Sequence, residues 1–327
     1  MITQMLAPGY TTGLTMMNFF YGVCCIGITL ALLLGMRSKM PCDQGRAFAV
    51  NGELSKGKTR GVGLLFILGY VISTFLFVPL TWELALLLLI LLACMMTGFL
   101  DDAGSVPWGG LKKGLLDLAI SLGAGFVAWH FYGTLIYFPL LADDPATASV
   151  TLPAPVYIVL AAALVWGSIN VVNCTDGVDG LCATLAILAL GAFAGLGGIH
   201  KISADNPKLA IGMILCLLPY LWYNASPSSM LMGDAGSRAL GYLLAMLALR
   251  SGCVLVYFLF CLVFILDGGL GLLKLALLRT VKIHILKNTR TPLHDDKRKN
   301  KHWSDTQTVF RFAILQFAGI VLYFALM

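Results

Sequence analysis

From Leu84 to Leu100 the chain carries no charged side chain, and comparable apolar runs recur along its whole length. Spanning a bilayer as a helix takes about 20 mostly apolar residues. Only helices and closed barrels satisfy every backbone N–H and C=O in hydrocarbon. Composition agrees: 59% of the residues are hydrophobic and 12% charged, where a soluble domain has roughly 45–50% and about 25%. The expectation is an all-α polytopic membrane protein with about ten helices, at 15–35, 61–80, 83–100, 115–138, 155–172, 181–199, 208–223, 236–250, 252–272 and 307–326. Asp267-Gly268-Gly269 is expected to break the ninth, which would continue as a basic helix to Lys287. No basic n-region precedes the first span and Arg37 and Lys39 follow it, the pattern of a retained helix. The polar segments 36–60 and 287–306 are too short to bury cores of their own, so residues 1–327 are read as one integral membrane domain.

Loops rich in Lys and Arg stay cytoplasmic. With the first helix starting outside, the inner side holds Arg37, Lys39, Arg46, Lys56, Lys58, Arg60, Lys112, Lys113, Arg238, the run from Lys274 to Lys301, and Arg311. Only Lys201, Lys208 and Arg250 fall outside, which makes 19 against 3 of the 22 basic residues. Both termini are therefore expected outside. The same count places every acidic motif on the cytoplasmic face: Asp101-Asp102, the stretch Asn170 to Gly180, Asp234, and the basic segment that carries His294.

Carboxylates and carboxamides at the ends of apolar runs are costly unless they meet a metal, a ligand or each other. Hard divalent cations such as Mg²⁺ take oxygen ligands and are commonly completed by substrate phosphates. Together with a face of net positive charge, the molecule being +6 overall, this points to phosphoryl transfer, with anionic lipid head groups or anionic substrates as partners. Nucleic acid is not expected as a partner. The nine cysteines include no C-x-x-C pair, so neither a zinc site nor a disulfide framework is expected. Asp117 and Asp267, inside predicted helices, should line a cavity or meet a cation. Each motif alone has a plainer reading: Asp101-Asp102 as a helix end facing water, Asp176 and Asp179 as helix-capping carboxylates, and Lys297-Arg298-Lys299 as a solvated basic run.

Taken in order, Gly98-Phe99-Leu100-Asp101-Asp102, Asn170 to Leu181, Met232-Gly233-Asp234-Ala235-Gly236-Ser237-Arg238-Ala239-Leu240-Gly241 and Thr291-Pro292-Leu293-His294 resemble the successive signatures of the polyprenyl-phosphate sugar-1-phosphate transferases. Within that superfamily they most resemble the bacterial phospho-N-acetylmuramoyl-pentapeptide transferases. The resemblance implies ten transmembrane helices with both termini outside and a site facing the cytoplasm of a bacterial plasma membrane. It implies transfer from UDP-N-acetylmuramoyl-pentapeptide to undecaprenyl phosphate, giving lipid I and UMP, with Mg²⁺ as cofactor and a homodimer as a plausible assembly. By the same resemblance Asp101 and Asp102 handle the lipid phosphate, Asp101 as candidate base. Asn173, Asp176 and Asp179 belong to the nucleotide and metal element, Asp179 toward the uracil. Gly233 contacts substrate, Asp234 holds Mg²⁺ with Asp176, Asn224 belongs to the nucleoside pocket, and His294 is catalytic and substrate-binding.

The departures are as informative. The family's triple histidine is His294-Asp295-Asp296 here, and its Thr-Pro-Thr-Met-Gly-Gly loop is reduced to Lys58-Thr59-Arg60-Gly61-Val62-Gly63, with Lys56 as a phosphate contact. Leu231 replaces the aromatic residue that stacks on uracil, and Lys112 and Lys113 do not align one to one with the family's lysines. The ending His302-Trp303-Ser304-Asp305 and Phe310-Arg311-Phe312 echoes the muramoyl branch. Two other readings remain at this level: a UDP-N-acetylglucosamine transferase of the same superfamily, and an ion-coupled transporter. Transporters place charges near the midplane and often show repeats, whereas these acids gather at one face.

Overall fold

The computed structural model describes residues 10–45, 52–104, 106, 108–142, 147–200 and 206–327. Arg46 and Lys201, two of the residues used to orient the chain, lie outside the described residues. Each of the ten expected segments holds a helix: α1 (Tyr10–Met36), α2 (Gly63–Phe77), α3 (Trp82–Asp102), α4 (Gly110–Tyr132), α5 (Ala154–Thr175), α6 (Leu181–His200), α7 (Asn206–Asn224), α8 (Gly233–Ser251), a broken ninth, and α13 (Asp305–Ala325). By length and composition α1, α3, α4, α5 and α13 qualify as membrane spans, and the broken ninth makes a sixth if its two parts are one span. Gly63–Phe77 and Leu181–Gly197 are apolar but shorter, and α8 is enclosed. The chain is an all-α, multi-pass membrane protein.

Local sequence sets the helix ends. The Thr81 side chain accepts the Leu84 N–H at 3.1 Å and starts α3, in the manner of an N-cap. Ser304 and Gln307 form a reciprocal capping box at the start of α13, which satisfies two otherwise unpaired donors. Gly252, at φ 71°, closes α8 in the left-handed region that glycine adopts without penalty.

Every residue of α8 is buried. It packs against α2, α3, α4, α5, α6 and α7, and its small residues allow that enclosure, since close helix approach in a membrane needs small side chains. A Cβ at Gly98 would collide with the backbone of Asp234 and Ala235, so α3 and α8 touch main chain to main chain beside Asp101 and Asp102. At the far end of the same two helices Arg250, expected in an outer loop, is buried in the last turn of α8 instead. Its Nε lies 2.5 Å from Glu83 at the start of α3, and its Nη1 is 2.8 Å from Asn206 of α7. Glu83 also accepts the Tyr132 hydroxyl at 2.8 Å. Four helices are thereby pinned together.

The ninth segment departs from expectation. After a 3-10 turn (Val254–Val256), α9 (Tyr257–Phe260) and α10 (Leu262–Phe264) meet at Cys261, and a π-helical turn (Ile265–Gly269) leads into α11 (Leu270–Thr280). The 72° bend falls between Phe260 and Leu262, not at Asp267-Gly268-Gly269, and the helix stops at Thr280, not Lys287. Gly268 is small for a different reason: a Cβ there would press on Val171 and Cys174 of α5. Two further elements carry no sequence expectation. One is an antiparallel hairpin, β1 (Leu135–Tyr137) with β2 (Ser149–Thr151), pairing Ile136 with Val150. The other is the short helix α12 (Leu293–Lys301), which turns His294 toward the bundle.

Candidate active site

The end of the bundle opposite the Glu83–Arg250 pair gathers the polar motifs. Residues 41–43, 58–60 and 230–231 lie side by side as extended chain: Asp43 N–H donates to Lys58 O at 2.8 Å, Arg60 N–H to Pro41 O at 2.8 Å, and Leu231 N–H to Thr59 O at 2.8 Å. Alternate side chains of extended backbone share a face, so Lys58 and Arg60 both point into the site while Thr59 is used for pairing. Asp43 braces the segment, accepting from Gly45 N–H at 2.7 Å and the Ser55 hydroxyl at 2.9 Å.

Two cavities open here. The smaller, about 340 Å³, is lined by Asp101, Asp102, Asp234, Asn173, Lys113 and Arg60 among others. Lys113 Nζ lies 2.5 Å from Asp101 and 3.1 Å from Asp234. Arg60 approaches Asp102 through Nε at 2.9 Å and Asp234 through Nη2 at 3.6 Å. Burial opposes the charge of Arg60, but Asp102, Asp234, Asp43 and Asp176 outweigh it and hold the guanidinium above its usual range. Lys112 is turned aside, its ammonium 3.6 Å above the Trp108 ring, so Lys113 is the lysine of the site. Asn173 Nδ2 donates to Ser237 Oγ at 2.9 Å, tying α5 to the first turn of α8.

The larger cavity, about 490 Å³, is lined by Lys58, Arg60, Asp176, Asp179, Asn224, Leu231, Gly233, His294, Asp295 and Arg298, with others. Asp179 accepts the Ser228 N–H at 2.8 Å and lies 3.4 Å from Lys58 Nζ. Asn224 staples the rim: Oδ1 accepts Gly180 N–H at 2.9 Å and Nδ2 donates to Met230 O at 2.8 Å. Arg298 closes the far wall, paired with Asp305 at 2.8 Å and Asp295 at 3.8 Å. Arg60 borders both cavities, and the Gly233-Asp234 peptide divides them, Gly233 facing one and Asp234 the other. Gly233 sits at φ +67°, and a Cβ there would overlap the Asp102 carboxylate; the partition is as thin as a peptide can make it.

The model of glycosyl transferase family 4 matches residues 84–252. A phospho-N-acetylmuramoyl-pentapeptide-transferase of Treponema pallidum (strain Nichols) is 37% identical over 298 residues, 85% of this chain and 80% of the relative. One of Bacillus subtilis (strain 168) is 30% identical over 281 residues, covering 82% and 84%. One of Bartonella quintana (strain Toulouse) is 28% identical over 307 residues, covering 85% and 83%. The chain belongs to the phospho-N-acetylmuramoyl-pentapeptide-transferase family.

Against that family membership the residues singled out from sequence fall into two groups. Asp101, Asp102, Asn173 and Asp234 converge on the smaller cavity, and Asp176, Asp179, Asn224, Gly233 and His294 on the larger. The expected metal pair is thus divided, since Asp176 faces one cavity and Asp234 the other. Lys56 is exposed and lines neither, because the short 3-10 turn Gly52–Ser55 ends before it and the extended chain begins after it. Lys58 and Arg60 stand in its place. Arg298, read as part of a solvated run, is 8% exposed. Asp117 meets a cation as expected, pairing with the buried Arg238 one helical turn deeper than the Lys113–Asp234 pair. The echoing residues Trp303, Arg311 and Phe312 pack on one another, Arg311 lying 4.2 Å over the Trp303 ring.

Among the described residues no three His, Cys, Asp or Glu side chains form a ready metal cage. The donor set of the smaller cavity nevertheless suits a hard cation completed by phosphate oxygens. Asp102 Oδ1 is buried and has no hydrogen-bond partner among the described residues, its 2.9 Å contact with Arg60 Nε lying off the hydrogen-bonding line, and Asp234 and Asn173 line the same cavity.

Proposed function

We propose that this chain transfers phospho-N-acetylmuramoyl-pentapeptide from UDP-N-acetylmuramoyl-pentapeptide to undecaprenyl phosphate, giving lipid I and UMP at the cytoplasmic face of a bacterial membrane. The observation that carries the reading is the contact of the two cavities across Arg60 and the Gly233-Asp234 peptide. A two-substrate transfer needs such a meeting point, with the donor in the larger chamber and the acceptor phosphate in the smaller.

In this reading an oxygen of the lipid phosphate attacks the phosphorus that bears the sugar, and the bond from that phosphorus to the bridging oxygen breaks. UMP leaves with the electron pair. Asp101 accepts the proton of an acceptor that arrives singly charged, while Lys113 holds the acceptor's oxygens. Lys58 and Arg60 hold the donor diphosphate, and both can stabilise charge that grows on the leaving oxygen. Asp179, Asn224 and Leu231 shape the nucleoside end, and Arg298 with His294 lines the sugar end. Asp234, with Asp102 and Asn173 beside it, would hold Mg²⁺, which when bound neutralises diphosphate charge. The excess of basic residues in the loops at this end supports a cytoplasmic site with both termini outside.

Purified protein, undecaprenyl phosphate and Mg²⁺ should release UMP from UDP-N-acetylmuramoyl-pentapeptide at least about tenfold faster, per donor concentration, than from UDP-N-acetylglucosamine, a difference of roughly 1.4 kcal/mol. A preference for UDP-N-acetylglucosamine overturns the muramoyl assignment. No UMP from either donor overturns the transferase reading.

A further inference from the structure

Asp267 is fully buried in the π-helical turn Ile265–Gly269 and borders neither cavity. A carboxylate at such depth is costly without a partner, and Asp267 grips His294 twice. Oδ1 accepts the backbone N–H of His294 at 2.7 Å, and Oδ2 lies 2.7 Å from His294 Nδ1. The first bond substitutes for a missing helix cap, because the N-cap position of α12 is Pro292, whose side chain offers no acceptor. The second has a different consequence. With the carboxylate oxygen as acceptor, the ring nitrogen facing it carries the proton.

That leaves Nε2 on the opposite edge of the ring. It lies over Gly177, where an added Cβ would run into it, and 3.8 Å from Asp295 Oδ1. Gly177 and His294 together form part of the wall of the larger cavity. Asp267 meets α12 from within a π turn, and such turns are frequent at functional sites.

We infer that Asp267 is a positioning residue for His294, holding the imidazole in the Nδ1–H form with Nε2 presented as an acceptor at the wall of the donor cavity. The inference rests on the transferase reading for its effect on rate, and on geometry alone for the tautomer. A substrate O–H or N–H at the sugar end would donate to Nε2. Asp267→Asn keeps the shape and an oxygen for the backbone N–H, but turns an NH₂ group toward Nδ1. The ring then moves its proton to Nε2 and loses the acceptor.

The test combines spectra and rates. In protein labelled with ¹⁵N-histidine, the imidazole signals removed by His294→Gln should report Nδ1 protonated in the parent and Nε2 protonated in Asp267→Asn. UMP release at saturating donor should fall about tenfold or more in Asp267→Asn, with donor KM changed less than about threefold. In a His294→Gln background the same substitution should change the rate less than about twofold, because partners that act as a unit do not add. A parent His294 protonated on Nε2 overturns the inference, as does an equal loss of rate in both backgrounds, which would mean that Asp267 acts through the fold. If the parent releases no UMP, the transferase reading falls and the tautomer measurement alone decides this one. That measurement on the parent also decides should Asp267→Asn not fold.

Discussion

At the scale of single residues, Asp234 and Gly233 have opposite vulnerabilities. Asp234→Asn removes a charge that Lys113 and Arg60 both face, and should lower UMP release by at least about a hundredfold through lost transition-state stabilisation. Its thermal unfolding in detergent should stay close to that of the parent. Unchanged turnover would remove Asp234 from the site. Gly233→Ala should abolish activity by displacing Asp102, since both the positive φ and the overlap with the carboxylate oppose a Cβ; retained activity would show that the partition between the cavities tolerates widening. The acids of the site were legible in the sequence because a carboxylate ending an apolar run stands out. Lys58, Arg60 and Arg298 were not. A basic residue in an inner loop is the default for a membrane protein, so only three dimensions reveal which ones are turned inward.

Elements show the same division. Helices with long apolar stretches were readable, whereas α12 was not, because its nine residues are mostly charged and no apolar stripe marks the buried face. What it buries is His294, Asp295, Asp296 and Arg298, a polar face that fits only because the cavity wall and Asp267 are there to receive it. Asp267-Gly268-Gly269 does interrupt the helix, as a π turn, but the sharp bend lies at Cys261; glycine that allows close approach to α5 and glycine that ends a helix look alike in a sequence. The junction between α12 and α13 gives a test at this scale. Ser304→Ala removes the capping box and should cost about 1 kcal/mol of stability, read as a lower midpoint of thermal unfolding. Because Ser304 borders neither cavity while its neighbour Asp305 holds Arg298, a drop in donor affinity larger than the drop in stability would show that the cap also sets the cavity wall.

For the whole molecule, α3 and α8 form a strut about 30 Å long by helix rise, fastened at one end by glycine contact beside the site and at the other by Glu83 and Arg250. Glu83→Gln leaves Arg250 buried without its countercharge and should destabilise the protein by on the order of 3 kcal/mol, measured as loss of thermal stability in detergent, with the donor KM unchanged. A shifted KM with unchanged stability would contradict the view that this end is only a fastening. The number and order of helices were open to sequence reading because the bilayer forces them; the enclosure of α8 was not, because a helix hidden by protein looks too polar to span lipid. The ion pairs of the smaller cavity carry one more implication, for impostors. With Arg60 and Lys113 already embraced by Asp101, Asp102 and Asp234, a stray anion gains no bare cation, and any carboxylate it dislodges is left to repel it. Only a guest anchored elsewhere, the acceptor by its lipid chain or the donor by its nucleoside in the larger chamber, stays long enough to replace those partners. Inorganic phosphate at millimolar levels should therefore inhibit UMP release hardly at all, and a cell rich in small phosphates leaves this catalyst unclogged.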